Sequence, residues 1–291
     1  MLETLFQALI FPGFLVAVVI GFLYEGIVRK IAAHAHHRIG PPVWQPFMDW
    51  VKLMSKENIQ TKQSLGFLMT LSPIISFASI LVVILFIPVA GYVLFSFEGS
   101  LFVVIYFLVM YSLFFAVAGF ATGNPFGYVG GVREITQIVS YEFPFIVSLL
   151  TLGILTGFQI VPFFSLYFPF TFLAFVTGVQ GKLCLPPFHI PEAEQEIVSG
   201  HLTEYSGPRL AMFELSKAVG FWVLISLGAV YFLGATSILT FFVNSLVLLI
   251  LIIIIRTIFA RLRISQAFRF YWFVIGPLAL IDLVRVIIGF Y

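Results

Sequence analysis

Only one cysteine stands in this chain of 291 residues, and charged side chains make up just 10% of it. A lone Cys184 excludes an internal disulfide and any cysteine-ligated cluster held by this chain alone. Soluble domains carry roughly 25% charged residues because water must solvate their surface. Thirteen acids and fifteen bases cannot cover a globule of this length. With 61% hydrophobic residues and a mean hydropathy of +1.10, the solvent is lipid. The formal net charge of +2 leaves no electrostatic footprint for a nucleic acid. Also missing are HExxH, any Ser-His-Asp or Cys-His arrangement, and a phosphate loop, since no GK[ST] follows Gly130-Gly131. A secreted enzyme, a DNA binder and a disulfide scaffold are excluded, and the chain's own chemistry is not that of an enzyme.

What the chain has instead is long apolar runs. A membrane helix needs about 20 mostly apolar residues. Eight stretches qualify: Leu5–Ile27, Ser72–Phe95, Leu101–Thr122, Gln137–Gly157, Phe163–Gly181, Leu210–Leu233, Ile238–Ile255 and Phe270–Phe290. The fold class is therefore all-α integral membrane, a single membrane domain over residues 1–291 with about eight transmembrane helices. The first span is read as retained rather than cleaved, because it is too long for a signal segment and basic residues follow it. The loops after spans one, three, five and seven, with the adjoining helix ends, hold 13 of the 15 bases. By the positive-inside rule these loops face the cytoplasm, and both termini lie on the outer side. The chain is expected to be a multi-pass protein of the plasma membrane.

The connections are unequal. Outer loops are short, whereas two inner ones cover residues 28–71 and 182–208, and loops this long in a compact domain are usually functional. Within the first, Phe47, Trp50, Val51 and Met54 follow an i, i+3, i+4, i+7 spacing, which predicts an amphipathic helix lying in the membrane interface. The second is acidic: Glu192, Glu194, Glu196 and Glu204 are nearly a third of all acids in the chain. Two readings stand side by side. Acids at a short helix start favour the macrodipole; alternatively, mutual repulsion raises some pKa values toward neutrality and suits proton relay. His189 and His201 flank the cluster. His34, His36 and His37 read as a basic juxtamembrane segment, because three histidines within four residues of a helix cannot all face one ion.

Ionisable residues inside spans cost about 2.5–3.5 kcal/mol on insertion scales, so each needs a partner or a task. Glu142 lies in the fourth span. Glu214 with Lys217 in the sixth, and Asp282 with Arg285 in the eighth, are spaced to pair one turn apart.

Several separated segments resemble one family. Arg29-Lys30, Arg38, Gly40-Pro41, Gln45-Pro46-Phe47, Asp49, Lys52-Leu53 and Lys56-Glu57 resemble the first cytoplasmic loop of the complex I membrane subunit that borders the quinone chamber. Arg133, Gln137 and Ser140-Tyr141-Glu142 resemble its second signature. Pro187-Phe188, Pro191 through Glu196, Gly200 and Glu204 through Gly207 resemble its third. Arg256, Arg261, Arg263, Gln266 and Trp272 resemble its arginine-rich loop. There are departures. The stretch between Gly40-Pro41 and Gln45-Pro46 is shortened, and His189 stands where an acid is usual. Ser206 through Ala211 and Tyr141 through Pro144 are more similar to the membrane anchor of energy-converting (group 4) nickel–iron membrane-bound hydrogenases and their sulfane-sulfur-reducing relatives.

That resemblance implies a non-catalytic membrane anchor and coupling subunit of a ferredoxin-linked redox complex. Large and small hydrogenase-like subunits and iron–sulfur subunits would form the peripheral arm; antiporter-like subunits would move H⁺ or Na⁺ in the bilayer. Cofactors would belong to partner chains, as iron–sulfur clusters with or without a nickel–iron site, and this chain would hold none and no metal. Glu142, Glu192, Glu194, Glu196, Glu204, Glu214 and Lys217 would carry protons or the electrostatic signal. Arg29, Lys30, Arg38, Asp49, Lys52, Arg133, Arg261 and Arg263 would meet the peripheral arm. The alternatives are a quinone-chamber subunit of a complex I-like dehydrogenase, against which the shortened loop argues, and a stand-alone secondary transporter, for which no inverted repeat is found.

Overall fold

The computed structural model describes residues 7, 9–10, 13–89 and 91–289, with Glu194 described in its backbone only. Among these residues the fold is all-helical, with two isolated β-bridges, Val89–Tyr92 and Phe164–Leu233, and no strands. The long helices are α1 (Phe14–Ala35), α2 (Gln45–Met54), α3 (Gly66–Ile84), α4 (Ser100–Ala121), α5 (Pro125–Thr156), α6 (Pro169–Lys182), α7 (Gly207–Tyr231), α8 (Ile238–Ile258) and α9 (Ile264–Ile288). Six of them, α3, α4, α5, α7, α8 and α9, are long and apolar enough to cross a membrane. The protein is a multi-pass membrane protein.

The remaining two predicted spans look different in three dimensions. The first begins on residues outside those described, and α1 carries Glu25, Arg29 and Lys30 in its second half. The fifth is helical only from Pro169, so its 14 residues rise about 21 Å, short of the ~30 Å hydrocarbon core. Before Pro169 the chain is not helical: Ser165 donates from its backbone to Phe232 O at 2.9 Å, and Leu166 and Tyr167 turn back so that Phe168 N meets Ser165 O. The fourth span starts earlier than Gln137: Asn124 caps the helix by accepting from Phe126 N, and Pro125 occupies its first turn. In the second, helix stops at Ile84, although apolar sequence continues to Phe95.

Helix α7 is the axis of the bundle. Every residue from Ala218 to Phe232 is buried, which is why this helix is apolar on all sides rather than along one stripe. Around it pack α1, α2, α3 and α8, and the largest apolar cluster runs through this half. Helix α5 organises the other half, against α4, α6 and α9. Gly21 lets α1 approach: a Cβ there would lie 2.2 Å from Ala218 O on α7. In α9 the helix widens into a π-turn over Tyr271–Ile275, just before Pro277, whose missing N–H interrupts the regular ladder.

The connections gather at two ends. At one, the short turns tie together, as where Leu101 N meets Phe158 O and Phe163 N meets Val230 O. At the other, the long loops cross-link: Leu65 N to Ala121 O, Ile59 N to Ser206 Oγ and Leu262 N to Pro187 O. Helix α2 lies at this loop-rich end. Its Phe47 and Trp50 rings pack on Phe22 of α1, with all three centroid separations at 6.0 Å. Trp44, Met48, Val51 and Met54 stay exposed.

Candidate functional site

The charges collect where α1, α4, α5, α6 and α7 end beneath the 183–206 loop. A cavity of about 580 Å³ opens there, with Glu25, Arg29, Glu134, Lys182, His189, Glu192, His201, Glu214, Lys217, Arg256 and Arg261 on its walls. A smaller one, about 260 Å³, shares Glu25, Arg29 and Glu214 with it and runs between α1, α2 and α7 past Phe22, Trp50 and Leu53.

Glu192 is the hub. Lys217 Nζ donates to its Oε1 at 2.5 Å, and His201 Nε2 lies 3.7 Å from the same oxygen. Burial pushes the Glu192 carboxyl up, but Lys217 and then His201 outweigh it and hold the group down at about 2. Of the two readings of the acidic loop, this geometry favours separately partnered acids over mutual repulsion: each described carboxylate of the loop has a partner of its own. Glu196 accepts from Arg133 at 2.6 Å, and Glu204 accepts from the Asn124 side chain that caps α5. The side chain of Glu194 lies outside the described residues. The predicted Glu214–Lys217 pair exists at 3.6 Å, but Lys217 leans toward Glu192.

The two loop histidines point into the same chamber. His201 is 1% exposed, stands edge-on to Phe115, and neither ring nitrogen has a hydrogen-bond partner. Burial lowers its pKa to about 4 against the pull of Glu192, so the ring is neutral at pH 7. Burial lowers His189 as well, although its Nδ1 meets Cys184 O at 2.7 Å. The Cys184 thiol is pushed well up by burial and then by Glu134, which accepts its weak S–H bond at 3.6 Å. Gly130 seats this loop on α5: a Cβ there would lie 2.3 Å from His201 N.

Deeper in the bundle, Glu142 meets Lys182. The ammonium lies 2.5 Å from Glu142 Oε1, with the Lys182 side chain fully buried and that of Glu142 10% exposed. Pairing with the Lys182 ammonium offsets the cost of placing the Glu142 carboxylate inside a span. Asp282 has a local role: it accepts from Thr171 N at 2.9 Å and Thr171 Oγ1 at 3.1 Å, capping the start of α6, and from Arg285 at 3.1 Å.

Of the residues expected to face a peripheral arm, Arg29 is tied to Glu25 and to Asp49 at 3.4 Å, bridging α1 to α2. Lys30, Arg38, Lys52 and Arg263 are exposed at the loop-rich end, while Arg261 reaches over the chamber mouth. Sequence reasoning missed Glu25, Glu134 and Lys182. For Glu134 a signal existed: with Gln137 and Tyr141 it forms an i, i+3, i+7 polar face. Lys182 had none, because its partner lies 40 residues away in sequence.

The NADH dehydrogenase family matches residues 7–287. A subunit of the NADH-quinone oxidoreductase of Brevibacillus brevis is 31% identical over 305 residues, covering 92% of this chain and 89% of that protein. The corresponding subunit from Bacillus thuringiensis is 32% identical over 324 residues, covering 97% of each. In fold, the chain is similar to a chain of the membrane-bound sulfane sulfur reductase, an archaeal respiratory membrane complex. The TM-score is 0.88 over 98% of this chain and 99% of that one, at 24% identity.

Proposed function

Because this chain belongs to the NADH dehydrogenase family, we propose that it is the non-catalytic membrane anchor and coupling subunit of a multisubunit redox complex. Its loop-rich end faces the cytoplasm, both termini lie outside, and a ferredoxin-linked peripheral arm carrying iron–sulfur clusters docks on that end. Antiporter-like subunits beside it in the bilayer move H⁺ or Na⁺. The observation that carries this reading is the arrangement of ion pairs. They run from the loop surface (Arg133–Glu196) through the chamber wall (Glu192–Lys217–Glu214) to the depth of the bundle (Glu142–Lys182). A change of charge at the docked arm would alter the field at Glu192, and pairs this close in a medium of low dielectric feel such a change strongly.

The fold shared with the sulfane sulfur reductase chain, and the short run from Gly40-Pro41 to the start of α2 at Gln45, favour an arm that reduces protons or sulfur. Identity of 31–32% to subunits of NADH-quinone oxidoreductases favours the second reading, a quinone-chamber subunit. In that case the two cavities that share Glu25, Arg29 and Glu214 receive the quinone.

Metal analysis of the complex that copurifies with this chain in mild detergent separates these. Nickel with iron identifies a hydrogenase anchor. Iron without nickel leaves sulfur or quinone chemistry, told apart by assaying quinone reduction, and no metal from an intact preparation overturns the redox-complex reading. For the coupling role, Glu142→Gln and Glu196→Gln variants are expected to lower the ions moved per electron in reconstituted vesicles. Full pumping in both would remove these acids from the pathway.

A further inference from the structure

The Lys182 ammonium sits in a cage built by two neighbouring helices, α4 and α5. Its Nζ lies 2.5 Å from Glu142 Oε1, 2.9 Å from Ser112 Oγ and 3.1 Å from Leu108 O. The rings of Tyr141 and Phe145 face the same nitrogen, with centroids at 5.2 and 5.4 Å. A carboxylate, a hydroxyl, a carbonyl and two π-faces are the groups that replace water around a desolvated monovalent cation.

The lysine leaves that set incompletely used. An ammonium has three N–H donors, and all three are spent on the oxygens just named. The second carboxylate oxygen, Glu142 Oε2, is buried without any hydrogen-bond partner. A spherical cation carries no such limit on the number of oxygens it can engage. Access exists as well, because Lys182 and Ser112 form part of the wall of the polar chamber, and Glu134 stands on that same wall. The flexible four-carbon stem of lysine gives the ammonium a second carboxyl group to turn to, that of Glu134, which accepts from the Cys184 thiol.

We propose that Glu142, Ser112 and the Leu108 carbonyl form an alkali-cation site, for Na⁺ or K⁺. The Lys182 ammonium fills it as a tethered substitute, and a free cation enters by displacing that ammonium toward Glu134. No bond is made or broken, and the lysine stays charged. Equilibrium binding needs no electron transfer, so failure here leaves the anchor reading standing.

The test is equilibrium binding to the intact detergent-purified complex, with radiolabelled sodium and, for potassium, radiolabelled rubidium, against a choline background. The wild-type complex is expected to bind a cation that Glu142→Gln loses and Ser112→Ala weakens severalfold. Lys182→Met is expected to tighten binding by about tenfold or more, since removing one partner otherwise leaves a buried carboxylate uncompensated. In choline the Lys182→Met complex should unfold at lower temperature and recover in the salt of the preferred ion, and the Lys182→Met/Glu142→Gln double variant should ignore the salt. Equal binding by wild type and Glu142→Gln overturns the proposal, as does a Lys182→Met complex equally unstable in all three salts. If Lys182→Met does not assemble, the comparison of wild type with Glu142→Gln and Ser112→Ala decides alone. The ion with the larger effect identifies which cation the site takes.

Discussion

His201 is neutral in the folded protein down to a pKa of about 4, while the unfolded side chain protonates below about 6.5. Between these values the unfolded state binds more protons, so stability is full above about 6.5 and falls as pH drops toward 4. Glu192, held at about 2 against an ordinary 4.5, adds a second loss confined to more acid conditions. The stability difference between wild type and His201→Gln, followed by thermal unfolding in detergent, should therefore fall from pH 6.5 to 4 by an amount on the order of a few kcal/mol, while the Glu192 loss below 4.5 is common to both. An unchanged slope in the variant would assign the acid sensitivity elsewhere. At this scale the sequence was partly readable: Glu192, Glu214 and Lys217 stood out by type and place. Which of them pair did not, because Glu192 and Lys217 meet across 25 residues, and spacing reports only neighbours on one element.

Elements were legible in proportion to how far their pattern was local. The amphipathic helix was expected from Phe47, Trp50, Val51 and Met54, and it is found at Gln45–Met54. Helix α5 begins 12 residues before the expected Gln137, because hydropathy marks where lipid begins rather than where hydrogen bonding does. Its first turns carry Gly127, Gly130 and Gly131, poor helix formers in isolation, which are retained because the 200–201 segment and α4 press against them. Gly130→Val is expected to lift the acidic loop off α5 without unfolding the bundle. Limited proteolysis should then cut within 183–206 at least severalfold faster than in the parent, and equal rates would mean the loop is held elsewhere. Helix α6 shows the opposite limit. Phe163 to Phe168 is as apolar as many membrane helices, but its backbone pairs with the end of α7 instead.

For the whole molecule, exposed Lys30, Arg38, Lys52 and Arg263 crowd the loop-rich end with the uncovered apolar side chains Trp44, Val51 and Met54. An Arg38→Glu/Lys52→Glu variant is expected to release the peripheral arm during purification at lower salt than the parent, since screening weakens exposed pairs. A release profile identical to the parent's would place docking on the apolar residues alone. Composition and the one-sided distribution of bases by themselves determined that this is a helical membrane protein with its elaboration on one face, because the cost of charge in lipid acts on every residue wherever its neighbours are. Only the tertiary structure decided that Glu142 answers Lys182, that Asp282 caps α6, and that eleven acidic and basic side chains share one chamber. Those pairings join residues far apart in the chain, and Coulomb energy depends on distance in space rather than in sequence.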